Sequence, residues 1–402
     1  MSSLPVENFD AKPERIIILD SLRGFALFGI LLSHLILSFD GGALPYFNKI
    51  SNYPHFDEFV SFFNNLFVKG KFFTIFSFLF GISFSIQIFK KGEPKTILLR
   101  YAWRLIILGI IGFLHGLLWR GDILLIYSIL GFVIMLVIKL PDKWLVILSF
   151  ILIMNIPGRI LNFDSHIFKP QTSSVLKKQN LETEEHSKDF YLILKTGNFK
   201  DLIIANFYEI KPKFIFQFSG RMHVTLGFMM LGLYVGRKKI FNNLKINKFL
   251  IIKVFLISLI IGALTLIFIV ESKAYFKSPL LFFIREFVRD LNHFSFSILY
   301  ISGIVILYME DIFLDLFKNL AVVGRMALSN YILQSIIGGF IFFGYGFGLI
   351  GDMPAFIAFL LIFPIFIIQI YLSEFWLMKF KFGPLEWVWR SLTYFKFQDM
   401  RK

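Results

Sequence analysis

Cysteine is absent from all 402 residues, which excludes disulfides, thiolate metal sites and a cysteine nucleophile together. Charge is also scarce, at 17% of residues against about 25% in an ordinary soluble domain. The apolar share, 56%, exceeds what one protein interior can hide, so the solvent for the excess is lipid. Acidic side chains are the scarcer sign, 27 against 42 lysines and arginines, for a net charge of +15. In a membrane protein that surplus belongs on cytoplasmic loops, and no nucleic-acid partner is expected. The sequence has no Walker P-loop, no G-x-G-x-x-G after a strand and no clear G-x-S-x-G elbow. ATP-driven transport, a Rossmann cofactor and a serine hydrolase therefore lack support. No H-x-x-x-H or H-E-x-x-H spacing occurs, so no metal site is expected.

What the chain does have is a series of apolar stretches long enough to cross about 30 Å of hydrocarbon as helix. Ten are expected, near residues 15–38, 71–90, 97–118, 121–139, 143–157, 218–236, 249–270, 290–309, 321–346 and 354–377. The fifth is short, and 59–68 reads as an interfacial lead-in to the second. Asp20 and Arg23 interrupt the first stretch and no small-residue cleavage site follows, so it should remain as a membrane helix rather than be removed as a signal peptide. Lysines and arginines gather in residues 90–104, 237–253 and 379–402, which alternate crossings place on the side of both termini. That side is expected to be cytoplasmic. The fold class is thus an all-α polytopic bundle forming one membrane domain over 1–402. It comprises N-terminal helices (1–157), one long extracytoplasmic loop (158–213), and C-terminal helices with a cytoplasmic tail (214–402). The loop turns amphipathic near 190–208 and is expected to lay short helices over the outer face, as a lid or as a passive connection.

Ionisable groups inside apolar spans cost about 2.5–3.5 kcal/mol or more, so they mark places where something compensates. In LDSLRGFALFGILLSH, Asp20, Arg23, Leu27, Ile30 and His34 share one helical stripe, which must face protein or a cavity. Asp20 and Arg23 can pair, as a lock or as a ligand site, and His34 lies about 16 Å further along. In GFLHGLLWRGDILLIYSILG, His115 sits one turn before a charged tip carrying Arg120 and Asp122. A histidine with a nearby aspartate is the base and orienter that acyl transfer needs, and His115 with Asp122 is the expected catalytic pair, with His34 as its alternative. The plainer reading is a hydrogen bond between helices. Arg221 and His223 enter the sixth span from the same side. Arg325, and Asn330 with Gln334 on one helix face, are further candidates to grip a ligand or pack helices. Arg390 lies in a tail, KFGPLEWVWRSLTYFK, whose composition suits the cytoplasmic interface.

LDSLRGFALFGILLSH, GKFFTIFSFLFG (70–81), GFLHGLLWRGDILLIYSILG, GRMALSNYILQS and FGPLEWVWRSLTY resemble, in order, the blocks of the bacterial YeiB-like membrane proteins, a domain of unknown function. The first helix is also similar to that of heparan-alpha-glucosaminide N-acetyltransferase and related integral membrane acyltransferases, which share an L-D-x-x-R-G opening. Asp20, Arg23 and Gly24 match it, and His34 stands where the eukaryotic enzyme usually has Asn. The distant resemblance implies a tunnel through which an acyl group passes from cytoplasmic acyl-CoA to an external acceptor.

The expectation is a bacterial cell-membrane acyltransferase with acyl-CoA as co-substrate and no bound cofactor, acting on an envelope or small-molecule acceptor. Arg23, Arg325 and Arg390 would hold the donor; Asp20, Arg120, Arg221, His223, Asn330 and Gln334 complete the candidate binding set. The rivals are a transporter or exporter that uses the same intramembrane Asp, Arg and His groups as its path, and a scaffold whose polar groups only specify packing.

Overall fold

Apolar runs in lipid must satisfy their own backbone hydrogen bonds, and this chain does so with helices. The computed structural model describes residues 16–38, 53–89, 94–160, 187–218, 220–272 and 279–402. Among these the extended pairing is limited to an isolated bridge between Phe380 and Arg401. The helices are α1 (Ile17–Ser33), α2 (Pro54–Phe63), α3 (Phe72–Ile88), α4 (Pro94–Leu118), α5 (Leu124–Val137) and α6 (Asp142–Ile153). They continue with α7 (187–196), α8 (Phe199–Phe218), α9 (Arg221–Arg237), α10 (Lys248–Glu271), α11 (Pro279–Met309) and α12 (Leu314–Arg325). The last three are α13 (Ala327–Phe342), α14 (Ala355–Lys379) and α15 (Pro384–Tyr394). Their starts follow local rules: proline opens α2 and α15 where no backbone donor is needed, and Pro141 and Pro354 precede α6 and α14.

Six helical stretches are long and apolar enough to cross a membrane: Ile17–Ile36, Pro54–Ile88, Lys95–Leu118, Lys248–Glu271, Phe283–Met309 and Ala355–Lys379. The protein is a multi-pass membrane protein. The ninth expected span is corrected: residues 314–342 form two helices, α12 and α13, bent by 83° across Met326, and only as a pair do they make a seventh crossing. The bend is held by a cap from a distant part of the chain. Glu386 of α15 accepts hydrogen bonds from the Leu328 and Ser329 amides, at 2.7 and 3.1 Å, and so caps a new helix start where one continuous helix was expected. Of the long hydrophilic segment expected as an extracytoplasmic loop, 161–186 lies outside the described residues. The remainder forms α7 and α8, in the region where amphipathic helices were expected.

α1 occupies the centre, packed against α3, α11, α12, α13 and α14. Its contact with α12 is a backbone-to-backbone crossing. A β-carbon on Gly24 would lie 2.0 Å from the Leu320 carbonyl oxygen, and one on Gly324 would lie 1.9 Å from that of Asp20. Because lipid offers no hydrophobic drive, such small-residue crossings supply the close packing that holds membrane helices together. The same device joins α3 to α9 through Gly81 and Gly232. α3 runs antiparallel to α1: Phe72 packs on Gly29, and Ser83 meets Arg23. The bundle therefore has a defined Arg23 end and a defined His34 end, and past His34 the helix widens into a π-type turn over His34–Ser38.

Candidate functional site

At the His34 end, His115 near the last turn of α4 faces Asp122 at the start of α5, with Nδ1 2.7 Å from Oδ1. Both side chains are buried, 2% exposed each. Asp122 also accepts the Leu124 and Leu125 amides at 3.1 and 3.0 Å, so the helix start fixes the carboxylate. A carboxylate oxygen accepts, so Nδ1 of His115 is the donor in this pair and Nε2 is the ring nitrogen left over. That Nε2 is buried and has no hydrogen-bond partner among the described residues.

Tyr331 of α13 joins the two histidines. Its ring lies 5.1 Å from that of His115 and 6.3 Å from that of His34, and Trp119 closes on His34 at 5.5 Å. Arg221, at the start of α9, is within electrostatic reach of His34, Tyr127 and Tyr331, and its guanidinium rests over Phe73 at 4.5 Å. α8 covers the α4–α5 turn. Lys213 Nζ donates to the Asp122 carbonyl at 2.7 Å, Asn206 Nδ2 donates to the Leu117 carbonyl at 2.9 Å, and Glu209 pairs with Arg120 at 3.1 Å. Burial pushes the Lys213 ammonium down to about 8, and Asp122 opposes that shift. Between α4, α5 and α8 runs a crevice of about 30 Å³, with Asp122, Glu209 and Lys213 in its wall, a volume close to one water's share of liquid.

The Arg23 end has a different chemistry. Arg23 pairs with Asp20 and donates to Ser83 Oγ at 2.7 Å. Arg104 of α4 lies within electrostatic reach of Arg23 and Arg390; it donates to Gln87 Oε1 at 3.1 Å and stacks on Trp389 at 3.9 Å. Arg390 rests over Phe382 at 4.5 Å, and its buried Nε has no partner. Arg100 lies over Tyr394 at 5.2 Å. One carboxylate, Asp20, pairs within this group of guanidiniums.

His34, His115, Asp122 and Arg221 thus meet at one end, and Asp20, Arg23 and Arg390 belong to the other. Arg120 sits at the exposed rim of the His34 end, paired with Glu209. His223 turns away to Asn155, with Nδ1 3.2 Å from Oδ1. Asn330 donates to Ser373 Oγ and the Val323 carbonyl, and Gln334 donates to Gln369 Oε1 at 3.0 Å, so both amides bind helices together. Arg325 ends α12 at the bend. Sequence reasoning missed Trp119, Lys213, Tyr331 and Arg104. The last had a signal: Arg104 and His115 are eleven residues apart on α4, the spacing of Arg23 and His34 on α1. Eleven residues make about three full turns, so each arginine shares a helix face with its histidine, about 16 Å away.

A family model described as "Protein of unknown function (DUF418)" matches residues 235–396. The chain is 27% identical to the uncharacterized protein YxaH of Bacillus subtilis (strain 168) over 414 residues, covering 97% of this chain and 96% of that one. It is 28% identical to an uncharacterized 39.9 kDa protein in the amylase 3'region of Bacillus acidopullulyticus, over 96% and 95% of the two chains. It is 26% identical to the uncharacterized protein YeiB of Escherichia coli (strain K12), over 94% and 96%. No solved structure matches. Its all-helical membrane fold goes with a likeness to the YeiB-like DUF418 proteins along nearly its whole length.

Proposed function

We propose that this protein is a membrane acyltransferase that moves an acyl group from acyl-CoA on the cytoplasmic side to an envelope or small-molecule acceptor outside. In this reading the chain makes ten crossings of the bacterial cell membrane with both termini inside, and 1–402 is one domain. The observation that carries it is the pairing of two unlike ends on two shared helices: an arginine cluster at one end, and a histidine–aspartate dyad with an unengaged Nε2 at the other.

Arg23, Arg104 and Arg390 hold the donor's phosphates, for which planar guanidinium forks are suited, while Trp389 and Tyr394 offer aromatic faces. An extended pantetheine arm then brings the thioester along α1 and α4. His115 Nε2 takes the proton of the acceptor hydroxyl or amine as the acceptor attacks the thioester carbon; Asp122 keeps the ring in the right tautomer and stabilises the imidazolium. Arg221, within electrostatic reach of His34 and Tyr331, supplies positive charge for the developing oxyanion. Collapse of the tetrahedral adduct breaks the carbon–sulfur bond, and the imidazolium returns its proton to the departing thiolate. α8 is the cover over the acceptor.

Calorimetry of acetyl-CoA and free CoA against the purified protein tests the donor end, beside an Arg104→Gln, Arg390→Gln double variant. Saturable binding of both ligands, lost in the variant, is the expected result. Absence of binding to folded protein transfers the assignment to transport. One observation favours that second reading: α12 and α13 form a broken helix pair, a device by which transporters build mid-membrane sites.

A further inference from the structure

At the start of α3, outside the histidine–aspartate site, Lys71 is 1% exposed at the junction between the π-type turn Asn64–Val68 and α3. Its ammonium has three hydrogens to place, yet its one hydrogen bond is a long one of 3.5 Å to the Asn65 carbonyl, and its other contact is the Phe296 ring, 5.7 Å away. Among the described residues no carboxylate pairs with it. Its charged neighbours have the same sign: Lys69 acts on Lys71, and Lys69, Lys71 and Arg289 all act on His293. Gly70, at φ +83°, brings the turn against the His293 ring, where a β-carbon would stand 2.8 Å away. Asn64 in the same turn is fully buried, and neither amide atom has a partner. The two nearby carboxylates are engaged elsewhere, Asp290 with Arg159 and Glu286 with Arg289.

A buried ammonium beside further positive groups is unfavourable unless it gives up its proton or an anion completes the site. We propose that the buried Lys71 site, between α3 and α11, binds a phosphate group, either that of an anionic phospholipid headgroup or that of a soluble phosphate. Lys71 and Lys69 supply charge, the first amides of α3 supply donors, and Asn64 supplies an amide. Thr74 and Ser297, 2.7 Å apart between their hydroxyls, hold the two helices in register beside the site. The inference is independent of the acyltransferase reading, because Phe73 and Ser77, which meet Arg221 and Tyr127, define the reaction side of α3.

The test is thermal denaturation of the delipidated full-length protein titrated with phosphatidylglycerol and, separately, with inorganic phosphate, for wild type, Lys71→Met and Lys71→Arg. The expected result is a saturable rise of several degrees in wild type with at least one probe, absent in Lys71→Met and partly kept in Lys71→Arg. A response to phosphatidylglycerol alone identifies a lipid site, and a response to both or to phosphate alone identifies a soluble anion. No response of wild type to either probe, or an undiminished response in Lys71→Met, overturns the proposal. If Lys71→Met does not fold, the wild-type titrations and Lys71→Arg carry the test: a wild-type rise that Lys71→Arg keeps at least in part supports the site, and its complete loss in folded Lys71→Arg overturns it.

Discussion

α1 and α10 are both apolar helices long enough to cross a bilayer, yet they hold opposite places in the molecule. In α1, 72% of the most apolar 18-residue stretch is buried in protein; in α10 the figure is 22%. α10 presents Leu256, Ile260, Leu264 and Ile267 outward and packs chiefly on α11. Its polar side chains are satisfied at short range: Ser258 bonds to the Val254 carbonyl, and Thr265 to that of Ile261 and to Asn292. α1 instead carries Asp20, Arg23 and His34 into the centre, where partners come from α3, α13 and the α4–α5 turn. The more uniformly apolar helix is the peripheral one, and chemistry gathers on the helix whose apolar pattern is interrupted, because protein can compensate buried charge and lipid cannot.

Six substitutions at five positions test that contrast. The largest effect is expected for His115→Asn, which removes the base: acyl transfer should fall by about 10²–10⁴-fold while acetyl-CoA binding, measured by calorimetry, stays as in wild type. Next is Gly24→Ala, where the new β-carbon meets the Leu320 backbone and the crossing must part. Thermal denaturation should show a loss of about 1–3 kcal/mol. Its counterpart Gly262→Ala on α10, whose β-carbon would meet the Phe296 ring at 3.4 Å and Ser295 Cβ at 3.8 Å, should be neutral or slightly stabilising. A smaller effect belongs to Glu386→Ala, which uncaps α13 and should cost about 1 kcal/mol. Burial raises the Glu386 pKa above the usual carboxylate range. Its protonated form is therefore the one the fold prefers, so tail docking is firmest below the unfolded pKa and weakens as pH rises through the raised value. Hydrogen exchange of residues 384–394 against pH reads this slope, and Glu386→Gln should flatten it. The smallest effect is Leu264→Ala on the outer face of α10, expected within about 0.5 kcal/mol in detergent.

The contrast was partly legible in the sequence. Helical periodicity located α1, α3, α4, α10 and α14, and the stripe from Asp20 to His34 announced that one face of α1 meets protein. The pairing of Asp20 with Arg23 and of His115 with Asp122 followed from spacing, since each pair is close along the chain. The bend at Met326 was hidden because its cause, Glu386, lies on α15 and local periodicity carries no information about it. Tyr331 escaped notice because one aromatic in an apolar run has no distinguishing pattern; only the bundle brings its ring between two histidines. His223 was grouped with His34 and His115 by its side of the membrane, but side does not fix direction, and its ring is turned to Asn155. Asn330 and Gln334 were read correctly as one helix face, and that face meets other helices.

The most direct measurement is transfer of radiolabelled acetyl across sealed vesicles carrying the protein in one orientation, with acetyl-CoA enclosed on the Arg23 side and bacterial envelope material supplied on the His115 side. The account predicts covalent label in the envelope material that depends on the protein and is lost in His115→Asn. Label crossing unattached to acceptor, or equal transfer in wild type and His115→Asn, would contradict it.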